Sequence, residues 1–315
     1  MKRGLNKFVS HLLIWQGDKM VKTIGIRPVT DFAKYIIYTG FVSNCPYPTS
    51  GLIIAPPEHG KSTEVEKFEC LGVIQIDKST AWGLADILER LTKKEIEIYH
   101  HFVILDLENY ASASRDVRGQ FLAFVRQTTQ EGMKRYHTAR IDLDLDERKS
   151  FGFLMCTTPE DLGDKRSVFR SLSFLSRPLP FTYKYGQNLR AKILEFIAEE
   201  DHNAPERYVV KRREKATVKL PKKYSDRLTP LALKLSSRIE DAASHPKTVF
   251  EGSDKLCGIR AKENLMTFLK AIALYHSRTS VIRKDFNELK RLYRFMNFRF
   301  RNIDQDQSIP ERRRY

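Results

Sequence analysis

Short apolar runs alternate with segments of helical period between residues 51 and 185. The apolar runs lie at 51–55, 71–76, 102–106 and 151–156. Their continuous apolar character is typical of strands that are buried on both faces. Between them, apolar residues recur at helical spacing from Leu84 to Leu91 and from Val117 to Thr128. The alternation predicts an α/β fold of three layers, with a parallel sheet between two layers of helices.

The strand signal stops after residue 188, and the C-terminal part is predicted to be helical. Helices are expected at 189–200, 226–244, 260–276 and 283–296, with a polar, basic connector at 203–223. We therefore divide the chain into an N-terminal extension at 1–48, a core at 49–188, a helical domain at 189–300 and a disordered tail at 301–315. Within the extension, residues 32–38 could form a short helix or a short strand.

One segment of the core departs from the strand–helix alternation. Residues 140–146 read Arg-Ile-Asp-Leu-Asp-Leu-Asp, a strict alternation of charged and apolar side chains. This period predicts a half-exposed strand that belongs to a β-hairpin within 136–148. The aspartates lack the glycine and the terminal glutamate of a calcium-binding loop, so we do not assign a metal site to them.

A loop with the spacing of a phosphate-binding motif follows the first predicted strand. It reads Ala55-Pro56-Pro57-Glu58-His59-Gly60-Lys61-Ser62-Thr63, with alanine where the pattern usually begins with glycine. A helix is predicted to leave the loop over 62–69, so that loop N–H groups point at the β-phosphate of a nucleotide. Gly60 permits close backbone approach, Lys61 would reach the β- and γ-phosphates, and the Ser62 hydroxyl would ligate Mg²⁺. The motif predicts a site for ATP and Mg²⁺.

Two acids follow the strand predicted at 102–106, in the sequence Phe102-Val-Ile-Leu-Asp106-Leu-Glu108. Because ligands bind at the carboxyl ends of parallel strands, we expect Asp106 to lie beside Ser62 and the magnesium ion. Glu108 is expected to share the strand parity of Asp106 and to orient or deprotonate the attacking water. This pair of acids favours an ATPase with a catalytic glutamate over a GTPase or a kinase.

Composition and charge narrow the class of partner. The chain has 315 residues, of which 41% are hydrophobic, and this is enough to bury a sizeable core. The net charge is +16, and residues 207–223 hold eight basic side chains against one acid, Glu214, which indicates a polyanion such as DNA. The four cysteines lie far apart and no apolar run could span a bilayer. We therefore expect reduced thiols, a cytoplasmic protein and no membrane partner.

The succession of motifs resembles the AAA+ ATPases and, within them, the branch that contains the minichromosome-maintenance helicases. Besides the two motifs above, the resemblance rests on Thr157 and Thr158 after a strand, on Arg177 in a Ser-Arg pair, and on Arg260 at the start of a C-terminal helix. It covers residues 50–296 and implies a P-loop core followed by an all-helical lid domain. The zinc-binding N-terminal domain of those helicases has no counterpart in residues 1–50.

The resemblance also implies roles for individual residues. Thr157 or Thr158 would stand where a sensor residue reads the γ-phosphate, and we assign Thr157. Arg177 would be the arginine finger that reaches the ATP of a neighbouring subunit. Arg260 would act as a second sensor, closing over ATP from the lid. The hairpin within 136–148 would lie where these helicases carry a hairpin that can touch DNA in a central pore.

Arg166 and Arg170 are alternative fingers, and the choice among the arginines stays open in the sequence. A finger that acts in trans implies a homo-oligomeric ring, with a hexamer as the expected size. We therefore expect an ATP-hydrolysing protein that acts on DNA as a helicase-like motor or as a loader, in replication or in a mobile element. A protein-remodelling or regulatory ATPase without a DNA substrate is the alternative, and a slowly hydrolysing switch is a third reading.

Overall fold

A computed structural model describes residues 27–68, 72–76, 81–91, 93–111, 113–137, 142–163, 168–198, 214–243 and 256–303. The strands in this part of the chain are β1 (Ser50–Ile54), β2 (Val73–Ile76), β3 (His101–Ile104), β4 (Met133–His137), β5 (Asp142–Lys149), β6 (Gly152–Thr157) and β7 (Pro178–Thr182). Five of them form a parallel sheet in the order β2-β3-β6-β1-β7, and β4 and β5 form an antiparallel pair. The predicted parallel sheet is confirmed.

The edge strand β7 was not predicted, because its sequence Pro-Leu-Pro-Phe-Thr contains two prolines, which cannot donate to a ladder. In the structure β7 pairs only with β1 among the described strands. The N–H of Thr182 points away from β1 and donates to the carbonyl of Phe295 at 2.9 Å. Strand alternation turns the nitrogens of Pro178 and Pro180 to the same outer side, so the prolines remove no bond between β7 and β1.

Helices cover both faces of the sheet. Those described are α1 (Arg27–Tyr38), α2 (Lys61–Glu66), α3 (Ala81–Arg90), α4 (Lys93–Ile98), α5 (Glu108–Ala111), α6 (Arg115–Arg126), α7 (Pro159–Gly163), α8 (Leu172–Leu175), α9 (Gln187–Ala198), α10 (Lys222–Ala242), α11 (Ile259–Tyr275) and α12 (Arg283–Tyr293). The helices predicted around 84–91 and 117–128 correspond to α3 and to α6 with its π-helical continuation at Gln127–Glu131. No helix within the described ranges is long and apolar enough to cross a bilayer.

On one face of the sheet, α1 lies directly against β1. A Cβ on Gly51 would come within 3.0 Å of side-chain atoms of Phe32 and Ile36, so only glycine allows this approach. Phe32 also stacks on Phe181 of β7, with ring centroids 4.6 Å apart, and contacts Phe268 of α11 at 5.7 Å. The helix is buried from Pro28 to Tyr38 between the sheet and α11. The described part of the expected N-terminal extension is therefore a central element of the core.

Charged residues on α1 are buried but paired. Asp31 accepts ion pairs from Lys34 at 2.6 Å and from Arg291 of α12 at 2.5 Å, and Arg291 also pairs with Glu288 at 2.6 Å. Removing the Asp31 carboxylate would leave the buried ammonium group of Lys34 without its ion-pair partner, and breaking a buried pair in this way typically costs about 3–5 kcal/mol. This network joins the N-terminal helix to the last described helix.

The helical C-terminal part is present, and α9 to α12 match the four helices predicted there. After α12 the chain runs along the outer edge of β7, where Lys184 donates to Arg301 and accepts from Ile303, both at 3.0 Å. These bonds cover a sheet edge that would otherwise expose its N–H and C=O groups. The tail expected to be disordered from residue 301 is therefore ordered as far as Ile303, and residues 304–315 lie outside the described ranges.

The described part of the basic connector begins at residue 214, while 203–213 lie outside the described ranges. Ala216 donates its N–H to Phe41 at 2.8 Å, and Lys219 donates its N–H to Thr279 at 2.8 Å. The connector therefore runs as an extended segment between the end of α1 and the chain before α12, rather than as a free linker.

The predicted hairpin is confirmed in its two strands, β4 and β5. Leu145 of β5 is buried while Asp144 and Asp146 beside it are exposed, as the alternating sequence predicts. The residues that join the strands, 138–141, lie outside the described ranges. The base of the hairpin, at Lys149, leads directly into β6.

Two adjacent histidines lie buried at the amino end of β3. The Nδ1 atoms of His100 and His101 are 2.6 Å apart, and Nε2 of His101 lies 3.1 Å from the carbonyl oxygen of Thr49. Because the carbonyl can only accept, His101 donates from Nε2, and its Nδ1 then accepts from His100. Burial lowers the pKa of His101 to about 4, and burial together with the charge of His101 lowers the pKa of His100 well below its usual range.

These depressed histidine pKa values predict a loss of stability in acid. Between pH 6.5 and about 4 the unfolded chain binds a proton that His101 in the folded chain does not, so stability falls as pH falls through this window. The shift of His101 corresponds to about 3 kcal/mol. We expect His101→Gln, which keeps a donor for Thr49, to flatten this part of the profile in urea unfolding.

The matched control for this measurement is His276→Gln, which removes an exposed imidazole. It should leave most of the pH dependence in place. If the free energy of unfolding fell equally steeply with pH in the wild-type protein and in the His101 variant between pH 6.5 and 4, His101 would not be the source of the acid sensitivity.

Candidate functional site

The predicted phosphate loop leaves the carboxyl end of β1 and enters α2. In the sheet, β1 lies between β6 and β7. Gly60 is the N-cap of α2 with a φ angle of 65°, a conformation that glycine adopts at little cost. Its carbonyl accepts the N–H of Glu64 at 2.9 Å. Glu58 also has a positive φ, 61°, which is strained for a residue with a Cβ atom. The loop is therefore bent sharply where its backbone N–H groups would meet a phosphate.

Side chains that follow β7 hold this bend in place. The hydroxyl of Tyr183 donates to the carbonyl of His59 at 2.6 Å, and the ring of Tyr185 stacks on the His59 ring with centroids 4.5 Å apart. Nδ1 of His59 lies 2.8 Å from the carbonyl of Pro57 within the loop. Burial lowers the pKa of His59, and the charges of Arg190 and Lys61 act in the same direction. A neutral His59 therefore serves as an internal brace of the loop.

The two predicted motifs meet at the end of the strand that lies between them. Ala55, the first residue of the phosphate loop, donates its N–H to Thr157 at 3.3 Å. Leu107, between the two acids, donates its N–H to Cys156 at 2.9 Å. Both loops are thus hydrogen-bonded to the last two residues of β6.

Side chains confirm that the motifs converge. The hydroxyl of Ser62 donates to the carbonyl of Leu105 at 3.0 Å, which brings the predicted magnesium ligand to the end of β3. Lys61 and Asp106 both lie close enough to Cys156 to act on its thiol. Burial raises the pKa of Cys156 to about 12, while Lys61 opposes this rise and Asp106 adds to it. The segments that carry Lys61, Ser62 and Asp106 therefore lie side by side at the carboxyl edge of the sheet.

The local structure around the acids differs from the sequence expectation. The strand β3 ends at Ile104, and the short helix α5 begins at Glu108. Asp106 and Glu108 therefore do not share a strand parity, and that argument was wrong. Instead, the carboxylate of Asp106 accepts the N–H of Glu108 at 2.9 Å and caps the turn between strand and helix. Glu108 has an exposed side chain at the start of α5.

The two threonines at the end of β6 have different surroundings. Thr158 is the cap of α7: its hydroxyl accepts the N–H of Asp161 at 3.2 Å and donates to the Asp161 carboxylate at 2.8 Å. Thr157 is the last residue of β6, pairs in register with Ile54, and is almost fully buried. Its hydroxyl lies 3.2 Å from the same carboxylate. Thr158 thus has a structural task, and Thr157 is the threonine next to the phosphate loop.

Arg177 lies at the amino ends of the parallel strands, whereas the phosphate loop lies at their carboxyl ends. It precedes Pro178, which pairs with the first residue of β1, whereas the loop follows the last residue of that strand. About six residues of strand rise separate the two levels, or roughly 20 Å. One Nη atom of Arg177 donates to the carbonyl of Ser173, and its Nε is buried without a partner among the described residues.

Arg177 belongs to a cluster of three arginines at this amino edge. Burial lowers its pKa to about 10, and the charges of Arg260 and Arg126 lower it further, with Glu131 opposing them. Arg260 donates to the hydroxyl of Ser176 at 2.8 Å. The structure thus places Arg260, at the start of α11, at the amino ends of the strands, away from the phosphate loop of its own chain.

The two alternative arginine fingers are Arg170, which the structure describes, and Arg166, which it does not. The guanidinium of Arg170 donates from Nε and Nη2 to the carbonyl of Ala242, at 3.1 and 2.9 Å, and so caps the end of α10. This contact gives Arg170 a structural role. Arg166 lies outside the described ranges.

Several residues at the site were missed in the sequence. Tyr183 and Tyr185 follow the strand that was not predicted, so no pattern pointed to them. Asp161 stands three residues after Thr158, and this spacing of a capping box could have been recognised. Arg190 of α9 acts electrostatically on His59, but a single arginine on a helix carries no signal of such a position.

The residues at this edge fit a magnesium–nucleotide complex through one hydroxyl, Ser62, and one carboxylate, Asp106, the sparse protein ligand set that Mg²⁺ uses when phosphates supply further oxygens. The described residues contain no group of three or more His, Cys, Asp or Glu side chains that could hold a metal by itself.

Comparison of the chain with sequence profiles of known protein families gives no match. Comparison with curated proteins gives no match either. The five-stranded parallel sheet with helices on both sides is an α/β fold, and it is compatible with a P-loop nucleoside triphosphatase.

Proposed function

We propose that this protein is a P-loop ATPase of the AAA+ type that acts on DNA. The observation that carries the proposal is the meeting of two loops at the end of β6, where Lys61, Ser62 and Asp106 share one site. Such a site needs a cation for the phosphates, a hydroxyl and an acid for the metal, and a bent backbone for close approach. The cation, the hydroxyl and the bent backbone come from one loop, and the acid comes from a segment that is distant in the chain.

Each residue has a distinct task in this proposal. Lys61 binds the β- and γ-phosphates of ATP, and Ser62 and Asp106 hold the Mg²⁺ ion, which would supply positive charge to the phosphate oxygens when bound. Glu108, exposed at the start of α5, orients the attacking water and accepts its proton. Thr157 reads the γ-phosphate from the end of β6.

Replacing Lys61 by alanine should abolish nucleotide binding or turnover. The loss of a charge-assisted contact to phosphate corresponds to roughly a hundredfold weaker binding. The measurement is ATP affinity and phosphate release, compared with Lys290→Ala, which removes an exposed lysine of α12. Unchanged turnover in the Lys61 variant would refute the assignment of the phosphate loop.

Replacing Glu108 by glutamine should leave ATP binding within a few-fold of the wild-type value while hydrolysis stops. Removing a general base typically lowers turnover by roughly 10²–10⁴. Glu66→Gln makes the same chemical change at an exposed position of α2 and should turn over normally. A Glu108 variant with normal turnover would remove this residue from the chemistry.

We also propose that the site is completed by a neighbouring subunit in a ring, for which a hexamer is the expected size. Arg177 lies roughly 20 Å from the level of its own phosphate loop, with Arg260 and Arg126 nearby and a buried Nε that has no partner in the described residues. Such an arginine cluster suits the phosphates of an ATP held by the next copy of the chain. In this proposal Arg260 acts in trans beside Arg177.

Mixing variants tests catalysis in trans. Arg177→Ala and Lys61→Ala subunits should each be inactive alone, since an arginine finger is worth roughly 10³–10⁵ in turnover. Mixed assemblies should recover activity wherever an intact Arg177 faces an intact Lys61. No recovery, with mixed assembly demonstrated by pull-down of differently tagged subunits, would count against the finger.

DNA is the proposed substrate because the charge of the chain is clustered as well as large. The net charge is +16, and Lys215, Lys219, Lys222 and Lys223 are exposed in the described part of the basic connector. A polyanion would bind there with release of counterions. The second candidate function is a protein-remodelling or regulatory ATPase, for which the basic surface would bind an acidic protein.

Turnover in the presence of DNA separates the two functions. For a DNA-acting motor or loader, single- or double-stranded DNA should stimulate ATP hydrolysis, and the stimulation should fade as salt rises. An acidic polypeptide such as polyglutamate is the control polyanion. ATP turnover that ignores DNA at low salt would favour the protein-remodelling function.

A further inference from the structure

Two features that the sequence presents separately, the hairpin and the basic connector, meet at one cavity. Lys149 ends β5, and Lys215 lies in the connector. Both line a cavity of about 160 Å³ at the amino edge of the sheet, together with Arg148, Ser150 and His100. A volume of this size holds about five water molecules. None of the described residues that line it is a carboxylate.

The positive charges around this cavity are not balanced from within it. Lys149 donates to the backbone carbonyl of Glu97 at 3.0 Å and makes no ion pair with a carboxylate in the described ranges. The pKa of Lys149 is lowered to about 8, mainly by burial and also by the nearby charge of Lys215, while Glu97 opposes both. The same two lysines also help to lower the pKa of His100, so this imidazole is neutral and adds no charge at neutral pH.

Carboxylates do stand near the lysines, on their other side. A larger groove next to the cavity shares Arg148, Lys149 and Lys215 with it. Five acidic residues also line this groove: Glu89, Glu97, Asp144, Asp146 and Glu147. Arg148, Lys149 and Lys215 therefore line both an acidic groove and a cavity that has no acidic residue in its described lining. An anion in the cavity would relieve the repulsion between Lys149 and Lys215 and would also find the Ser150 side chain there.

We propose that this cavity, lined by Arg148, Lys149 and Lys215, binds a phosphate group of a nucleic-acid backbone. The proposal rests on the proposed action on DNA and names where the strand would be held. The site lies at the amino edge of the sheet, away from the phosphate loop at the carboxyl edge. The hairpin enters and leaves the core beside it, so a strand bound there would run past the base of β5.

The test measures the affinity of the full-length protein for a labelled single-stranded oligonucleotide over a series of salt concentrations without ATP. Lys149→Gln and Lys215→Gln should each lower the slope of log K against log salt by roughly 0.7, and the double variant by roughly twice as much. Lys234→Gln is the matched control, an exposed lysine of α10 that lies outside the basic connector and does not line the cavity. It should affect the slope less than either cavity variant.

A second variant guards against damage to the fold at half-buried Lys149. Lys149→Arg keeps the charge and should bind with nearly wild-type affinity at pH 7. Above about pH 8 the free wild-type protein loses the Lys149 charge, so its affinity should fall as pH rises to 9.5. The arginine variant should lose this fall, because arginine stays charged.

The outcomes separate the inference from the function on which it rests. If the wild-type protein binds DNA but the double variant keeps the same salt slope, the cavity is not the phosphate site, while action on DNA stands. If the wild-type protein does not bind DNA at low salt, both fail.

Competition by inorganic phosphate for oligonucleotide binding, measured at constant ionic strength, is a further test. Competition with the oligonucleotide in the wild-type protein, but not in the double variant, supports the site. Binding of free phosphate at this cavity without any effect on DNA would assign it to a small anion and overturn the proposal.

Discussion

The site depends on the position of β6 between the strands that carry the two motifs. Because β6 separates β1 from β3, the backbones of the loops that follow β1 and β3 are both held by this common neighbour. The N–H groups of Ala55 and Leu107 are held by two consecutive carbonyl groups, at Thr157 and Cys156. The Ser62 hydroxyl also bonds directly to the carbonyl of Leu105. In the proposed ATPase, phosphates and metal would be held above the end of β6, between Lys61 and Asp106.

The two edges of the sheet carry different kinds of charge. At the carboxyl edge, Lys61 and Asp106 both lie near the thiol of Cys156. At the amino edge, Arg177 lies near Arg260, and Lys149 and Lys215 line one cavity. In the proposed ATPase, the chain would offer its nucleotide site to one neighbour and its arginines to another. Contacts between such unlike surfaces close into a ring when the rotation between subunits allows it.

The sequence predicted the buried strands and the phosphate loop because their signals are local and strong. It missed β7 because Pro178 and Pro180 argue against a strand, and only the outer position of their nitrogens removes the conflict. It gave Asp106 the right place but Glu108 the wrong conformation, since the end of a strand is set by capping contacts rather than by apolar period. It did not reveal that Arg260 lies at the amino ends of the strands, because helical period does not show from which end of the sheet a helix starts. The central position of α1 was also hidden, since its polar residues Asp31 and Lys34 resemble those of an exposed helix face, and the sequence does not reveal the ion pairs that allow their burial.

The bonds along the outer side of β7 limit how the C-terminal helices can move. Thr182 and Lys184 tie the segment after α12 to the sheet, Tyr183 between them holds the phosphate loop, and Arg291 joins α12 to the core helix α1. A hinge motion of the C-terminal helices away from the sheet would have to break these bonds. A change in the bend around His59 would therefore be transmitted through Tyr183 to the strand β7 and to the segment bonded along it.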